Sequence, residues 1–383
     1  MNDERLHPGN PLREAQALGQ SIWLDYIRRD LLTGGGLARL VETDGISGLT
    51  SNPAIFEKAI AGSADYDDLL LPLARQGLAP EAVFERLAIR DIQDAADVMA
   101  PVYRKTSWRD GYVSLEVSPR LAHDTDGTVA EARRLWAAVA RPNLMIKVPA
   151  TPEGIPAIRQ LISDGINVNV TLLFSRDVCE QAAQAYIDGL ETRLVRKQDL
   201  SCVASVASLF VSRIDSAVDP LLEAKAKAKE RDTPAAAARL RGLMGKAAVA
   251  NARLAYKRYG EMFSGQRWRG LLARRAWPQR LLFGSTGTKN PGYSDVLYVD
   301  ELIGLDTVNT LPPATLDAFR AHGNPRPSLM DGAAESQEVL RLLAAEGISL
   351  LEVTERLLGE GVQQFADAYE KLMAAIAARI AAA

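Results

Sequence analysis

The sequence predicts an α/β protein, a (β/α)8 TIM barrel with additional helices, and three observations carry that prediction. Eight short apolar or alternating segments, near 22–26, 45–50, 112–117, 144–149, 167–172, 203–207, 280–284 and 307–311, are separated mostly by stretches of helical periodicity. The polar residues that interrupt these segments gather at their C-terminal ends, the rim where such a barrel builds its site. A doubly wound sheet is the competing architecture, but it would carry a glycine fingerprint after its first strand, and no GxGxxG occurs here. The expected organisation is one barrel domain over 1–383, with a helical C-terminal extension from about 314 to 383 packed on it.

Composition narrows the function. A hydrophobic fraction of 47% supports a large core, and 45 basic residues against 48 acidic ones give no global argument for nucleic acid or a membrane surface. The opening MNDERLHPGNP is too polar for a signal peptide, and no apolar run reaches membrane-spanning length, so the expected location is cytoplasmic. Cys179 and Cys202 lack metal spacing and read as free thiols in a reducing compartment. The three histidines, His7, His123 and His322, sit in loop-like contexts and give poor support to a histidine triad or a zinc site. Carboxylates, hydroxyls and a lysine are left to do any chemistry, with neither metal nor cofactor expected.

Taken in order, the first strand candidate contains Trp23, Leu24, Asp25, Tyr26 and Ile27, with Asp25 either aimed at a site or an exposed helix carboxylate. In GISGLTSNPAIF, Gly45 to Phe56, Pro53 starts a helix, which leaves Asn52 as a cap or a ligand contact. Residues 54–109 carry helical patterns, broken at Ala61-Gly62-Ser63. The segment from Tyr112 to Val117 then holds Glu116 late in an apolar strand, where a buried carboxylate is an acid, a base or half of an ion pair. After a helix over 128–140, NLMIKVPATPEGIPAI places Lys147 inside an apolar run. An amine buried among apolar side chains loses hydration as the ammonium, which favours the neutral nucleophile that attacks a carbonyl. A lysine snorkelling from a strand end is the plainer reading of the same stretch.

Alternation in Asn167 to Leu172 puts Asn167, Asn169 and Thr171 on one face, towards a wet pocket. Beyond a helix over 176–196, the run from Cys202 to Asp215 sets Ser205, Ser208, Ser212 and Arg213 ahead of another helix, as an anion site or as capping serines. The helical region 216–277 has a basic bias through Lys257, Arg258, Arg267, Arg269, Arg274 and Arg275, which reads as a solvated face. In RLLFGSTGTKNPG, amides freed at Gly284 and Gly287, together with Ser285, Thr288 and Lys289, form an anion cradle without Walker spacing. Near the C-terminus Val362, Phe365, Tyr369, Leu372, Met373 and Ile376 make an apolar helical stripe that covers the barrel or meets a second subunit.

The runs GLTSNPAIF, VSLEVSP, NLMIKVPATPEGI, NVNVTLLFS, SLFVSRID and FGSTGTKNP together resemble the transaldolases, class I Schiff-base enzymes of the pentose phosphate pathway, over almost the whole chain. The resemblance implies that Lys147 forms the Schiff base and that Asp25 moves the substrate hydroxyl proton. It further implies that Glu116 works through a bound water held with Thr171, and that Asn52 and Asn169 bind substrate hydroxyls. Ser208, Arg213 and Ser285 match substrate and phosphate contacts, with Phe210 as a pocket wall. Many members carry an arginine two positions beyond that last serine, whereas this longer loop offers Lys289. The implied reaction moves a dihydroxyacetone unit from sedoheptulose 7-phosphate or fructose 6-phosphate to glyceraldehyde 3-phosphate or erythrose 4-phosphate. A fructose 6-phosphate aldolase and a non-catalytic sugar-phosphate binder are the alternatives. Sugar phosphates are the expected partners, and both a monomer and a homodimer fit.

Overall fold

Parallel pairing around a closed ring decides where the strand side chains of this protein point. The computed structural model describes residues 9–61 and 63–382, so His7 and Gly62 lie outside the described residues. Among these, eight strands close a barrel in chain order: β1 (Gln20–Leu24), β2 (Gly48–Leu49), β3 (Tyr112–Glu116), β4 (Leu144–Pro149), β5 (Val168–Leu173), β6 (Ser205–Phe210), β7 (Arg280–Gly284) and β8 (Thr307–Leu311). Every neighbouring pair is parallel, and β1 closes the ring against β8. The barrel expectation therefore holds; β3 and β5 shift by a single residue, and β1, β2 and β6 by two or more.

Each larger displacement has a local cause. β1 begins at Gln20, whose side chain donates to the Leu302 carbonyl and to Thr307 Oγ1, and it ends at Leu24, so Asp25 lies just past the strand. β2 shrinks to two residues because Gly48 passes under Trp23, where an added Cβ would sit 2.4 Å from the indole, and the chain then turns into the helix Pro53–Ala61. β6 starts late because the Ala204 amide is taken by the Asn167 side chain, and it runs on to Phe210 because β7 pairs with it that far.

The barrel interior is layered. At its centre Trp23, Tyr112, Met145, Val206, Leu282 and Val308, drawn from six different strands, form one buried cluster. Below them a polar plug closes the N-terminal end. Arg280 Nη2 lies 2.9 Å from Asp110 Oδ1, the Trp23 indole donates to the same oxygen at 3.0 Å, and Ser21 Oγ donates to the other at 2.6 Å. Residues two positions further along each strand face the same way one layer higher, so Ser114, Lys147 and Ser208 rise above the apolar centre. Outward positions such as Ile22, Leu24, Ile146 and Val170 join the larger core shared with the surrounding helices.

Outside the ring, the long helix Pro80–Lys105 packs against β3, and the C-terminal helix Leu350–Ala381 packs against the helix Pro53–Ala61. The anticipated stripe on that last helix is real: Phe365, Tyr369, Leu372, Met373 and Ile376 are buried. Within the basic stretch, Arg258 pairs with Glu180 and Glu261, and Arg267 with Asp188 and Glu191, as a solvated face requires. Among the described residues no helix is long and apolar enough to cross a membrane.

Removing one partner of a buried pair leaves the other charge uncompensated. Asp110→Ala, which strands the buried Arg280, is expected to lower unfolding free energy by about 3–5 kcal/mol. Asp317→Ala, which removes an exposed partner of Arg320, is expected to change it by about 0.2–1 kcal/mol in the same urea titration.

Candidate active site

Register brings the candidate residues together. Glu116 on β3 pairs with Lys147 on β4, and Lys147 pairs with Asn169 on β5, so three consecutive strands deliver their polar side chains at one height. Lys147 is 4% exposed, which excludes a strand-end lysine reaching into solvent. Its Nζ donates to the Ser51 carbonyl at 3.2 Å and lies 3.6 Å from Glu116 Oε2. At that separation the contact is an ion pair rather than a hydrogen bond, and Glu116 Oε2 is buried without a hydrogen-bond partner among the described residues.

Burial therefore dominates the glutamate. Loss of hydration pushes the Glu116 carboxyl up to about 7, against the opposing pull of Lys147, with Asp25 adding a smaller upward push. Asp25, just beyond β1, has its amide tied to the Leu311 carbonyl at 2.8 Å. Desolvation raises its carboxyl as well, opposed by Lys147 and by Thr50, whose hydroxyl donates to Asp25 Oδ1 at 2.7 Å. Thr50 in turn meets Thr310 on β8 at 2.7 Å. Thr171 Oγ1, on β5, is a second buried oxygen without a hydrogen-bond partner. It lies where β5 slips register against β6, next to Leu172 in the left-handed region at φ 58°.

Other candidates are tied more tightly than the sequence suggests. Asn169 Nδ2 donates to Ser114 Oγ at 3.0 Å, and Ser208 Oγ donates to Asn169 Oδ1 at 2.6 Å, so Ser208 spends its proton on a neighbour. Asn52 Oδ1 accepts the Ile55 amide at 3.0 Å, which is the capping arrangement. Asn167 faces the lower end of the barrel, where its side-chain nitrogen donates to the Pro142 and Leu144 carbonyls. Ser205 likewise stands at the start of β6 and donates to the Val168 carbonyl, remote from the rim.

The anion-binding expectation gathers around Arg213. Its guanidinium stacks on Phe210 with Cζ 5.3 Å from the ring centroid, and Phe210 meets Phe174 edge-on at 5.4 Å. Loss of hydration lowers the pKa of Arg213, and Glu360 opposes that shift. The helix Ser212–Lys229 begins here without a side-chain cap, its Ser212 amide donating to the Ser285 carbonyl at 3.0 Å and its Ile214 amide to the Val211 carbonyl at 3.1 Å. Ser212 Oγ and Ser285 Oγ lie 3.0 Å apart, just beyond the ends of β6 and β7. Lys289 is exposed in the following loop, and no hydrogen bond or ion pair joins it to the described residues.

Several contributors escape a reading of the sequence. The Ser51 carbonyl, Thr50 and Ser114 act through hydrogen bonds to the candidates, and Thr310 through Thr50; only Ser114 had a local signal, its alternation with Glu116 in VSLEV. Phe365, whose ring centroid lies 5.7 Å from Lys147 Nζ, comes from a helix far along the chain. Together the groups offer a buried amine, two desolvated carboxylates and an anion pocket, a set suited to carbonyl addition followed by proton transfer.

Because burial raises Glu116, the folded protein keeps a proton there between pH 4.5 and about 7 that the unfolded chain has released. That contribution to stability is complete below the lower value and is lost as pH rises through the upper one. Unfolding free energies across this range should show the parent losing stability relative to Glu116→Gln as pH increases.

Comparison with known proteins agrees with this geometry. The family model described as Transaldolase/Fructose-6-phosphate aldolase matches residues 22–376. A transaldolase of Thiobacillus denitrificans is 48% identical over 367 residues, covering 96% of this chain and 99% of the relative. A transaldolase of Trichodesmium erythraeum is 46% identical over 366 residues, covering 95% and 96%, and one of Neisseria gonorrhoeae is 46% identical over 363 residues, covering 95% and 98%. With its motifs in order on a closed parallel barrel and similarity along nearly its full length, the chain belongs to the transaldolase/fructose-6-phosphate aldolase family.

Proposed function

We propose that this chain is a transaldolase, acting on sugar phosphates in a reducing cytoplasm through a Schiff base at Lys147. The observation that carries the proposal is the buried amine, 3.6 Å from a glutamate whose carboxyl burial pushes up to about 7. A carboxyl of that kind is part protonated at neutral pH and serves as both donor and acceptor.

In the proposed sequence the Lys147 nitrogen adds to the C2 carbonyl of a ketose phosphate. Glu116, acting through a water it shares with Thr171, supplies the proton with which the C2 oxygen leaves as water, and an iminium remains. Asp25 then accepts the C4 hydroxyl proton while the C3–C4 bond breaks, and that electron pair passes into the iminium to give a neutral enamine. Desolvation makes the Asp25 carboxylate a stronger base, and Thr50 orients it. The aldose leaves and a second aldose phosphate enters. Enamine C3 attacks its aldehyde, Asp25 returns the proton, and hydrolysis frees the new ketose. Arg213 holds the terminal phosphate, with Ser285 beside it, while Asn169, fixed by Ser114 and Ser208, shapes the wall near the substrate hydroxyls. Lys289 adds charge at the rim.

Borohydride added in the presence of fructose 6-phosphate should leave a mass adduct on Lys147, and Lys147→Ala should lose both adduct and turnover while keeping its circular dichroism spectrum. An adduct on another residue would defeat the assignment. A donor–acceptor assay separates transfer from an aldolase that releases free dihydroxyacetone. Arg213→Ala should raise KM for phosphorylated acceptors by about 10- to 100-fold, the loss of one charged hydrogen bond, and leave unphosphorylated glyceraldehyde nearly unaffected. Equal losses with both acceptors would assign Arg213 to structure.

A further inference from the structure

We propose that Phe365 is a catalytic residue whose ring face holds the cationic form of the Lys147 nitrogen and shields it from water; this inference rests on the Schiff-base reading above. The Lys147 Nζ lies 5.7 Å from the ring centroid, within the range where an aromatic face attracts a cation. Few other groups share that duty. The Ser51 carbonyl stands at 3.2 Å and the Glu116 oxygen only at 3.6 Å.

The ring is held in place from both sides along one face of the C-terminal helix. One turn earlier Gly361 lets the helix come down on the barrel, since a Cβ there would meet Leu172 at 2.9 Å. One turn later Tyr369 stacks edge-on with Phe84 at 6.0 Å and lies beneath the Arg120 guanidinium at 5.3 Å. Phe365 itself is 8% exposed, so the face directed at the nitrogen is shielded from solvent, where a cation–π contact is stronger than at the surface.

Charge on the nitrogen changes along the reaction, and the ring responds to those changes. The carbinolamine is neutral, takes up one proton and loses one water to become the iminium. It becomes neutral again when the C3–C4 electron pair flows in to form the enamine. The negative ring face favours the iminium over both neutral neighbours, and its bulk limits the approach of water to C2. The charge of the ring face thus sets how much of the bound carbon stands as the reducible iminium, and its exclusion of water from C2 retains the three-carbon unit on the enzyme between donor and acceptor.

The test replaces Phe365 by Leu and, separately, by phenylalanines carrying increasing numbers of ring fluorines, which keep the shape and weaken the negative face. Each protein is given fructose 6-phosphate without an acceptor, then quenched with borohydride, and both the adduct fraction and the free dihydroxyacetone are measured. The adduct should fall stepwise with fluorination, by on the order of 5- to 30-fold for the fully fluorinated ring, and free dihydroxyacetone should rise in Phe365→Leu, where the barrier to water is lost. An adduct fraction insensitive to fluorination overturns the proposal even if Phe365→Leu fails to fold. A parent protein that forms no adduct removes the Schiff-base reading itself and this inference with it, so the two failures are distinguishable.

Discussion

Holding a lysine and a glutamate out of water, close together but without a full hydrogen bond, is the constraint on which this protein is organised. An ionised side chain loses several kcal/mol of hydration when buried, and only a well-placed partner offsets it. At 3.6 Å the compensation is partial, which is why the Glu116 carboxyl rises to about 7 instead of staying in the ordinary range. Asp25 is displaced upward for the same reason. Glu116 therefore sits close to the point where a proton is given or taken with little cost, the condition that acid–base catalysis demands.

The barrel supplies the rigidity this demands through its layers. The Asp110–Arg280 plug closes the lower end, six strands fill the centre with apolar bulk, and the candidate residues stand on that packed floor. A close-packed interior resists small displacements, so the spacing of Glu116 and Lys147 is set by strand register rather than by flexible side chains. Above, the C-terminal helix brings Phe365 onto the amine and Glu360 towards Arg213, joining the reacting end and the anion end of the site under one element.

Legibility in the sequence followed the range of the interaction. Lys147, Glu116 and Asp25 were visible because a charge inside an apolar run breaks a local pattern, and Thr171 because it shares an alternating face with Asn169. The same alternation misplaced Asn167, whose partners are carbonyls at the lower end of the barrel. Ser208 was identifiable as a polar residue on β6, but its bond to Asn169 depends on a neighbouring strand. For Asn52 the following proline already signalled a helix start, and its side chain is used there. The glycine loop around Lys289 looked like an anion cradle, yet the side chain extends into solvent.

By itself the sequence determined the barrel, the order of its strands and which charged side chains interrupt them, because hydrophobic period, turn chemistry and isolated charges are local properties of a chain. Tertiary structure alone decided the short β2 strand beneath Trp23, the oxygens left without partners on Glu116 and Thr171, and the arrival of Phe365 over the amine. Those features arise where segments distant in sequence exclude water together, and desolvation is a property of the assembled surroundings that no single segment encodes.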